Sequence, residues 1–384
     1  MNKKHMKILF DAGPLVNGNR TGVGRATEGL VLALANTYPD TELVGHYFDF
    51  LRRKKPHNLP TAPNIRYRTT TFVPGKVFNM LRRLGLWVPF ELLVKERGDF
   101  HLFPSFVGWP SLFKTPSAPF VHDITYIDYP QYVSDVARLD LQTLVPRTIQ
   151  RSSFIITNSE SSKKGILREY PTTKQPIIVE HLPTVGTVSI SKKEAAAYLQ
   201  KLGVTGKYLL FFGTLEPRKN LIGLIGAYRR LKPSIREQYA LVIAGGKGWK
   251  DDEILRSLNQ LKRSGAVVIQ TGYVSDEERA ALYIGAAVYV MPSHYEGFGM
   301  QLLEGMTYGV PMLVSDIPVL REVAKDAAAY CGTDPLSIAN GLESLLSNPD
   351  RRKMLTHAGK TRLQSFSWAR VAHDVYTHMA GPVK

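Results

Sequence analysis

Apolar and polar positions along the chain fall into short, almost wholly apolar runs separated by longer mixed stretches. "KILFDAG" (7–13), "YALVIAGGKG" (239–248) and "AAVYVMPS" (286–293) each end in glycine, proline or a polar turn. Such runs predict strands buried on both faces, as in parallel sheets. Further strands are expected at 41–48, 65–73, 99–105 and 118–124. "TGVGRATEGLVLALANTY" (21–38) is a glycine turn leading into a helix, and "SFIITNSESSKKGILREY" (153–170) is a strand, a turn and a helix. The stretch 183–206, "PTVGTVSISKKEAAAYLQKLGVTG", breaks this rhythm and is expected to be a domain linker. A second set follows it: a strand and polar turn at 208–220, a helix at about 221–232, a strand and helix cap at 266–278, a strand and turn at 310–318, and a helical end. Alternation of this kind predicts an α/β fold of two doubly wound, Rossmann-like domains, at 1–185 and 205–367. Ligands of open parallel sheets bind beyond the carboxyl ends of the strands, so two facing sheets predict a cleft between domains.

Composition narrows this picture. The chain has 384 residues, 44% of them hydrophobic, enough for two cores. A single cysteine, Cys331, excludes a disulfide framework and fits a reducing compartment. No 18-residue apolar stretch and no signal-peptide pattern occur, so the expectation is a cytoplasmic protein or one attached to a surface. The 49 Lys+Arg against 33 Asp+Glu give +16. That balance favours phosphorylated ligands, anionic lipid or nucleic acid. "RRKK" (52–55) is one basic cluster. "KVFNMLRRLGLW" (76–87) is another, with Val77, Phe78, Leu81 and Leu84 at helical spacing beside Arg82, Arg83 and Trp87. It reads as a membrane-surface segment or as an inward-packed helix with a basic outer face.

The chemistry concentrates in "MPSHYEGFGMQLLEGMTYGVP" (291–311). Gly297-Phe298-Gly299 opens a helix whose first N–H groups suit a phosphate. Glu296 and Glu304 bracket that cradle. The bare E-x7-E spacing is weak, since about 0.75 such pairs arise by chance among 17 glutamates. Its place after a buried strand makes it informative: a carboxylate can accept both hydroxyls of a vicinal diol. The plain alternative is one turn residue and one exposed helix residue. "GTLEPRKN" (213–220) places Arg218 and Lys219 just past another strand, where they could neutralise a diphosphate without a metal. No Asp-x-Asp occurs. "VHDITYIDYP" (121–130) puts His122 and Asp123 at a strand end. "RTGVGR" (20–25) lacks the third glycine of a dinucleotide motif, which argues against a nicotinamide site.

"EGFGMQLLEGMTYGVPMLVSDIPVLREV", "GTLEPRKNL", "TGYVSDEE", "VHDITYIDYP" and "ITNSESSKKGI" together resemble glycosyltransferase family 4, most closely its bacterial mannosyltransferase-like members. The resemblance covers nearly the whole chain. It implies a GT-B fold, with the last helix, about 368–384, crossing back onto the first, acceptor-side domain. It also implies a nucleotide-sugar donor (GDP-mannose favoured), retention of anomeric configuration, and no required metal or other cofactor. By this resemblance Glu296 binds the transferred sugar, Glu304 the ribose diol, and Arg218 and Lys219 the diphosphate with backbone N–H at Phe298, Gly299 and Met300. Leu303 belongs to the same donor site. His122 lies against the sugar, with Asp123 and Asn158 on the acceptor side. Gly22 and Gly24 form a loop over the phosphates or acceptor, and Tyr273 and Val274 flank the base. Thr214 stands where many members carry arginine, and Arg218 is expected to take over that role. The family's Pro-Asn-Gly after the interdomain strand is replaced by Pro183-Thr184-Val185-Gly186.

The reaction so implied moves a hexose to an acceptor hydroxyl of a saccharide or lipid-linked saccharide at the inner membrane face, with nucleic acid not a partner. The rival readings are a nucleotide-sugar epimerase of the same architecture and a basic nucleic-acid-binding protein. A phosphorylase lacks a supporting signature.

Overall fold

The computed structural model describes residues 5–16, 21–52, 59–71, 75–83, 86, 88–248 and 250–381, without the side chains of 52, 76, 79, 82 and 83. Residues 53–55 of the basic run, the side chains of Arg52, Arg82 and Arg83, and Leu84 and Trp87 therefore lie outside the described residues. The chain folds into two compact units. One is Met1–Val185 with Phe366–Lys384, the other Gly186–Ser365.

In the first unit the apolar runs form β1 (Lys7–Asp11), β2 (Glu42–Phe48), β3 (Ile65–Thr70), β4 (Phe100–Phe103), β5 (Ser117–Pro119), β6 (Ile155–Thr157) and β7 (Ile177–Val179). The first five form a parallel sheet in the order β3-β2-β1-β4-β5, with Leu9 opposite both Val44 and His101. β6 and β7 pair in parallel and join it through a bridge between Phe120 and Ile156. β1 buries Ile8, Leu9 and Phe10 completely, which is why no polar position interrupts it. The second unit is built on a six-stranded sheet ordered β10-β9-β8-β11-β12-β13. Its strands are β8 (Lys207–Phe212), β9 (Tyr239–Ala244), β10 (Val268–Gly272), β11 (Val288–Met291), β12 (Met312–Ser315) and β13 (Ala329–Cys331). All its pairings are parallel. Strand order reverses between β8 and β11, the place where a doubly wound sheet opens a crevice at its carboxyl end.

The expected linker at 183–206 is corrected by the structure. It holds a helix, Lys192–Lys201, started by a Ser191/Glu194 capping box, and this helix packs on the helix Asp276–Gly285. The second unit thus begins at Gly186 rather than 205. The apolar pattern gives little sign of this helix, because a single buried alanine, Ala195, is its anchor. Strands β7 and β13 and the helices Asp135–Arg151 and Asp252–Arg263 also go beyond the elements expected from the pattern. Asp135–Arg151 carries an internal Pro146, which masks its helical signature.

The helical end divides into Pro335–Ser347, Pro349–Leu363 and Trp368–Ala380. The last packs on the helix Gly22–Thr37 of the first unit. Its Trp368 ring lies so close to Gly29 that a Cβ there would sit 2.0 Å from the ring. In the basic segment, Phe78 of the helix Gly75–Arg83 is buried against Phe48, at 4.9 Å between ring centres, while Met80 and Leu86 are exposed. Cys331 is buried, and burial pushes its thiol up to about 12, so it is an inert packing residue.

Candidate active site

The sequence after β8 turns sharply. Gly213 leaves the strand, Thr214 is exposed, and Pro217–Lys219 form one 3-10 turn. Asn220 follows in the left-handed conformation (φ 54°) and caps the helix Leu221–Arg230 by accepting from Gly223 N at 3.1 Å. Its Nδ2 donates to the carbonyls of Pro292 (2.9 Å) and Thr333 (2.8 Å), so one side chain ties the loops after β8, β11 and β13 together. Sequence reasoning missed this residue, although asparagine just before an apolar helix is a recognisable cap.

That staple brings Arg218 and Lys219 against the loop after β11. Glu296 Oε1 accepts from Lys219 Nζ at 2.6 Å and from Ser293 Oγ at 2.7 Å. Its Oε2 accepts from Arg218 Nη1 at 2.7 Å. Arg218 also donates to Tyr295 O at 3.0 Å and to Glu216 Oε1 through Nε and Nη2. Lys219 and Glu296 are both buried. Burial alone would raise the Glu296 carboxyl, but the neighbouring Arg218 and Lys219 charges overcome it and hold the group at about 2. Burial pulls the Lys219 ammonium below its usual value, against the opposing pull of Glu296. The sequence assigned the acid and the cations to different parts of a ligand. In the structure they form one compact ion cluster.

Beyond it, Gly299 takes φ 91° to start the helix Met300–Tyr308, whose side chains Leu302 and Leu303 are buried, as is Phe298 before it. Glu304 is buried too, which removes the reading of it as an exposed helix residue. Its Oε1 lies 3.2 Å from Arg279 Nη1, and its Oε2 accepts from Tyr283 OH at 3.2 Å. Arg279 was not singled out from sequence. It follows the Ser275/Glu278 capping box directly and is buried, as are Ala280, Ala281 and Leu282 after it. An arginine beside such an apolar run is the signal that was available. Val274 is buried and Tyr273 exposed just before the same helix. The loops after β8 and β9 cross closely: Gly245 has φ 140°, and a Cβ there would meet Gly213 O at 2.0 Å.

In the first unit, His122 and Asp123 follow β5 and Asn158 follows β6, two strands joined side by side by their bridge. The His122 ring stacks on Phe120 at 4.3 Å. Its Nε2 lies 3.1 Å from Pro104 O. A carbonyl only accepts, so Nε2 carries the proton and Nδ1 is the acceptor face. Burial lowers the imidazole below its ordinary range, outweighing the Pro104 and Asp123 contributions, so it is neutral near pH 7. Asp123 Oδ1 accepts from both N and Oγ1 of Thr125. Ser162 Oγ bridges His122 O (3.0 Å) and Asn158 Oδ1 (3.4 Å). Gly22 and Gly24 do not form the expected loop. They are the first turn of the helix Gly22–Thr37, because Thr21 Oγ1 caps Gly24 N at 3.2 Å. Among the described residues no cluster of metal-ligating side chains occurs, and no helix is long and apolar enough to cross a membrane.

Two buried carboxylates, each paired with a cation, one on the loop after β11 and one in the helix that follows it, suit recognition of a polyol beside an anion. Residues 197–362 match the family model described as glycosyl transferases group 1. Sucrose-phosphate synthase from Thermosynechococcus elongatus shares the fold at a TM-score of 0.73, with 17% identity over 97% of this chain and 98% of that one. Anabaena HepE, in complex with UDP and glucose, does so at 0.70, with 17% identity over 98% and 100%. The chain is a glycosyltransferase of GT-B fold. It is 29% identical to O-antigen chain mannosyltransferase B of Escherichia coli over 94% of this chain and 96% of that protein.

Proposed function

We propose that this enzyme is a retaining, metal-independent family 4 transferase that moves mannose from GDP-mannose to a hydroxyl of a lipid-linked or polysaccharide precursor. The observation that carries the reading is the buried Glu296–Arg218–Lys219 cluster beside the Gly299 helix start. The similarity to an O-antigen chain mannosyltransferase supports the choice of sugar and acceptor class. When the donor enters, its diphosphate competes with Glu296 for Arg218 and Lys219, and the helix N–H groups at 298–300 add to the grip. Two cations and two or three N–H groups supply the charge that a metal would otherwise bring, at roughly 1.5–3 kcal/mol per charged hydrogen bond. Glu296, released from part of its pairing, accepts from sugar hydroxyls, and Glu304 accepts from the ribose diol. His122 Nδ1 is an acceptor for a further sugar hydroxyl.

On this reading none of these side chains serves as a nucleophile. The acceptor hydroxyl attacks on the face from which the diphosphate departs, and the departing phosphate oxygen takes its proton. Catalysis is then positioning plus stabilisation of the leaving group. Exposed Met80 and Leu86 in and beside the helix Gly75–Arg83 support contact with an anionic membrane surface. Flotation with liposomes that is indifferent to anionic lipid removes that part. The central test is a thermal-shift screen of nucleotide sugars followed by transfer assays with the one that raises Tm most. GDP-mannose should lead. A larger shift with a uridine donor overturns the choice of base, and release of epimerised sugar without acceptor favours an epimerase instead.

A further inference from the structure

At the point where the chain passes from one unit to the other, three consecutive carbonyls are each held by a side chain. Trp368 Nε1 donates to Thr184 O at 3.1 Å, Arg25 Nη1 to Val185 O at 3.1 Å, and Arg279 Nη2 to Gly186 O at 2.8 Å. Gly186 has φ 70°, the left-handed conformation suited to glycine. Two residues on, Val188 N and O both lie in hydrogen-bonding range of the Tyr308 hydroxyl, at 3.2 and 3.3 Å.

The same side chains lead to Glu304. Arg279 Nη1 holds its Oε1, and Tyr283 OH holds its Oε2. The Tyr283 ring stacks on Tyr308 at 5.7 Å and 14°. Each oxygen of this carboxylate is therefore connected to the crossover backbone, one through a single arginine and one through two stacked tyrosines. Arg279 is only 4% exposed and is also held by Asp276 at 3.0 Å. A guanidinium is rigid and planar, so its two terminal nitrogens cannot reorient independently. Any turn that follows Glu304 carries Nη2 relative to the Gly186 carbonyl.

We propose that Arg279 is a positioning residue that presets the Glu304 carboxylate for the donor's ribose and transmits its occupancy to the crossover at 184–188. The inference rests on reading Glu304 as the ribose acceptor. Arg279 and Tyr283 fix both carboxylate oxygens, so the ribose meets a preorganised partner rather than a mobile one.

The test measures binding of GDP and 2′-deoxy-GDP, and of the uridine pair if UDP gives the larger shift in Tm. Wild-type protein should prefer the ribonucleotide by about tenfold or more, the loss expected when a buried charged acceptor is left unmatched. In Arg279→Ala that ratio should fall towards one while diphosphate affinity persists through Arg218 and Lys219. Arg279→Lys, which keeps the charge, should restore part of the ratio. Hydrogen exchange across 184–190 should slow when GDP binds wild type, and should not respond in Arg279→Ala or in Tyr308→Phe. If Glu304→Ala erases the ratio but Arg279→Ala and Arg279→Lys leave it intact, the positioning role is overturned and the ribose reading stands. A ratio near one in wild type, or one unmoved in Glu304→Ala, sinks the ribose reading itself. GDP-dependent protection that survives in Tyr308→Phe and Arg279→Ala alike overturns the link to the crossover.

Discussion

Glu296 carries the heaviest load of any single side chain here, because it is at once a ligand group and the counter-charge of two buried or half-buried cations. Removing one partner of a buried pair costs about 3–5 kcal/mol, since the other charge is stranded. Glu296→Ala should therefore nearly abolish transfer and also lower stability. A transfer rate within about threefold of wild type, roughly 0.7 kcal/mol of barrier, would show the role to be wrongly assigned. Glu296→Gln separates the two effects, since it keeps the shape and loses the charge. Acid should act through the same group. Its folded value of about 2 lies below the usual 4.5, so the pairing stabilises fully above pH 4.5 and is lost as pH falls towards 2. At this scale the sequence exposed Glu296, Glu304, Arg218 and Lys219 through their place after apolar runs. It could not expose the contact between residues 219 and 296, or Arg279 beside Glu304, because those meetings depend on which strands become neighbours.

Elements follow from local rules where a cap or a buried run is present. Ser275 starts the helix Asp276–Gly285 by a complete capping box, and Ser275→Ala should cost about 1 kcal/mol in urea unfolding with an unchanged m-value. That same helix carries Arg279, so the loss should also loosen ribose discrimination if the cap sets the helix start. Gly29 illustrates what local rules leave out. Nothing in "TEGLVL" says that a tryptophan 339 positions later will lie against that glycine, as it does. Gly29→Ala should destabilise by about 1–3 kcal/mol through overpacking. The effect should be much smaller in a Trp368→Ala background, and a double-mutant cycle without coupling would refute this seating of the last helix. The linker expected at 183–206 failed for a related reason: its helix has one fully buried residue, Ala195, beside half-buried Leu199 and a capping box, too little apolar pattern to stand out.

The whole molecule shows an asymmetry in how its two units meet acid. His46 and His101 are held at about 4 by burial, and His122 is lowered by burial as well; all three lie in the first unit. The unfolded chain takes up these protons near pH 6.5 and the fold resists them, so stability is full above 6.5 and falls as pH drops towards 4. The loss is on the order of 3 kcal/mol for each of His46 and His101. Glu180, pushed up to about 8 by burial and Asp374, works the other way, favouring the fold as pH falls to 4.5; three imidazoles outweigh it. In the second unit burial lowers one imidazole, His294, and the Glu296 pairing holds until below 4.5. Hydrogen exchange followed by unit during acidification should show the first unit opening before the second, and the reverse order would contradict this assignment.

What the sequence determined by itself was local: strands buried on both faces, the glycine-started helices, the capping boxes, and the residue types gathered after β8 and β11. These depend on side-chain character within a few positions of each other, where burial and backbone preference act directly. The tertiary structure alone decided which of those residues touch. Strand order placed the loop after β8 beside the loop after β11, and Asn220 stapled them. That turned two separately readable motifs into one buried ion cluster, and put Arg279 between Glu304 and the crossover. Hydrogen bonds across 77 or 93 residues follow from the path of the whole chain, and no short-range pattern encodes them.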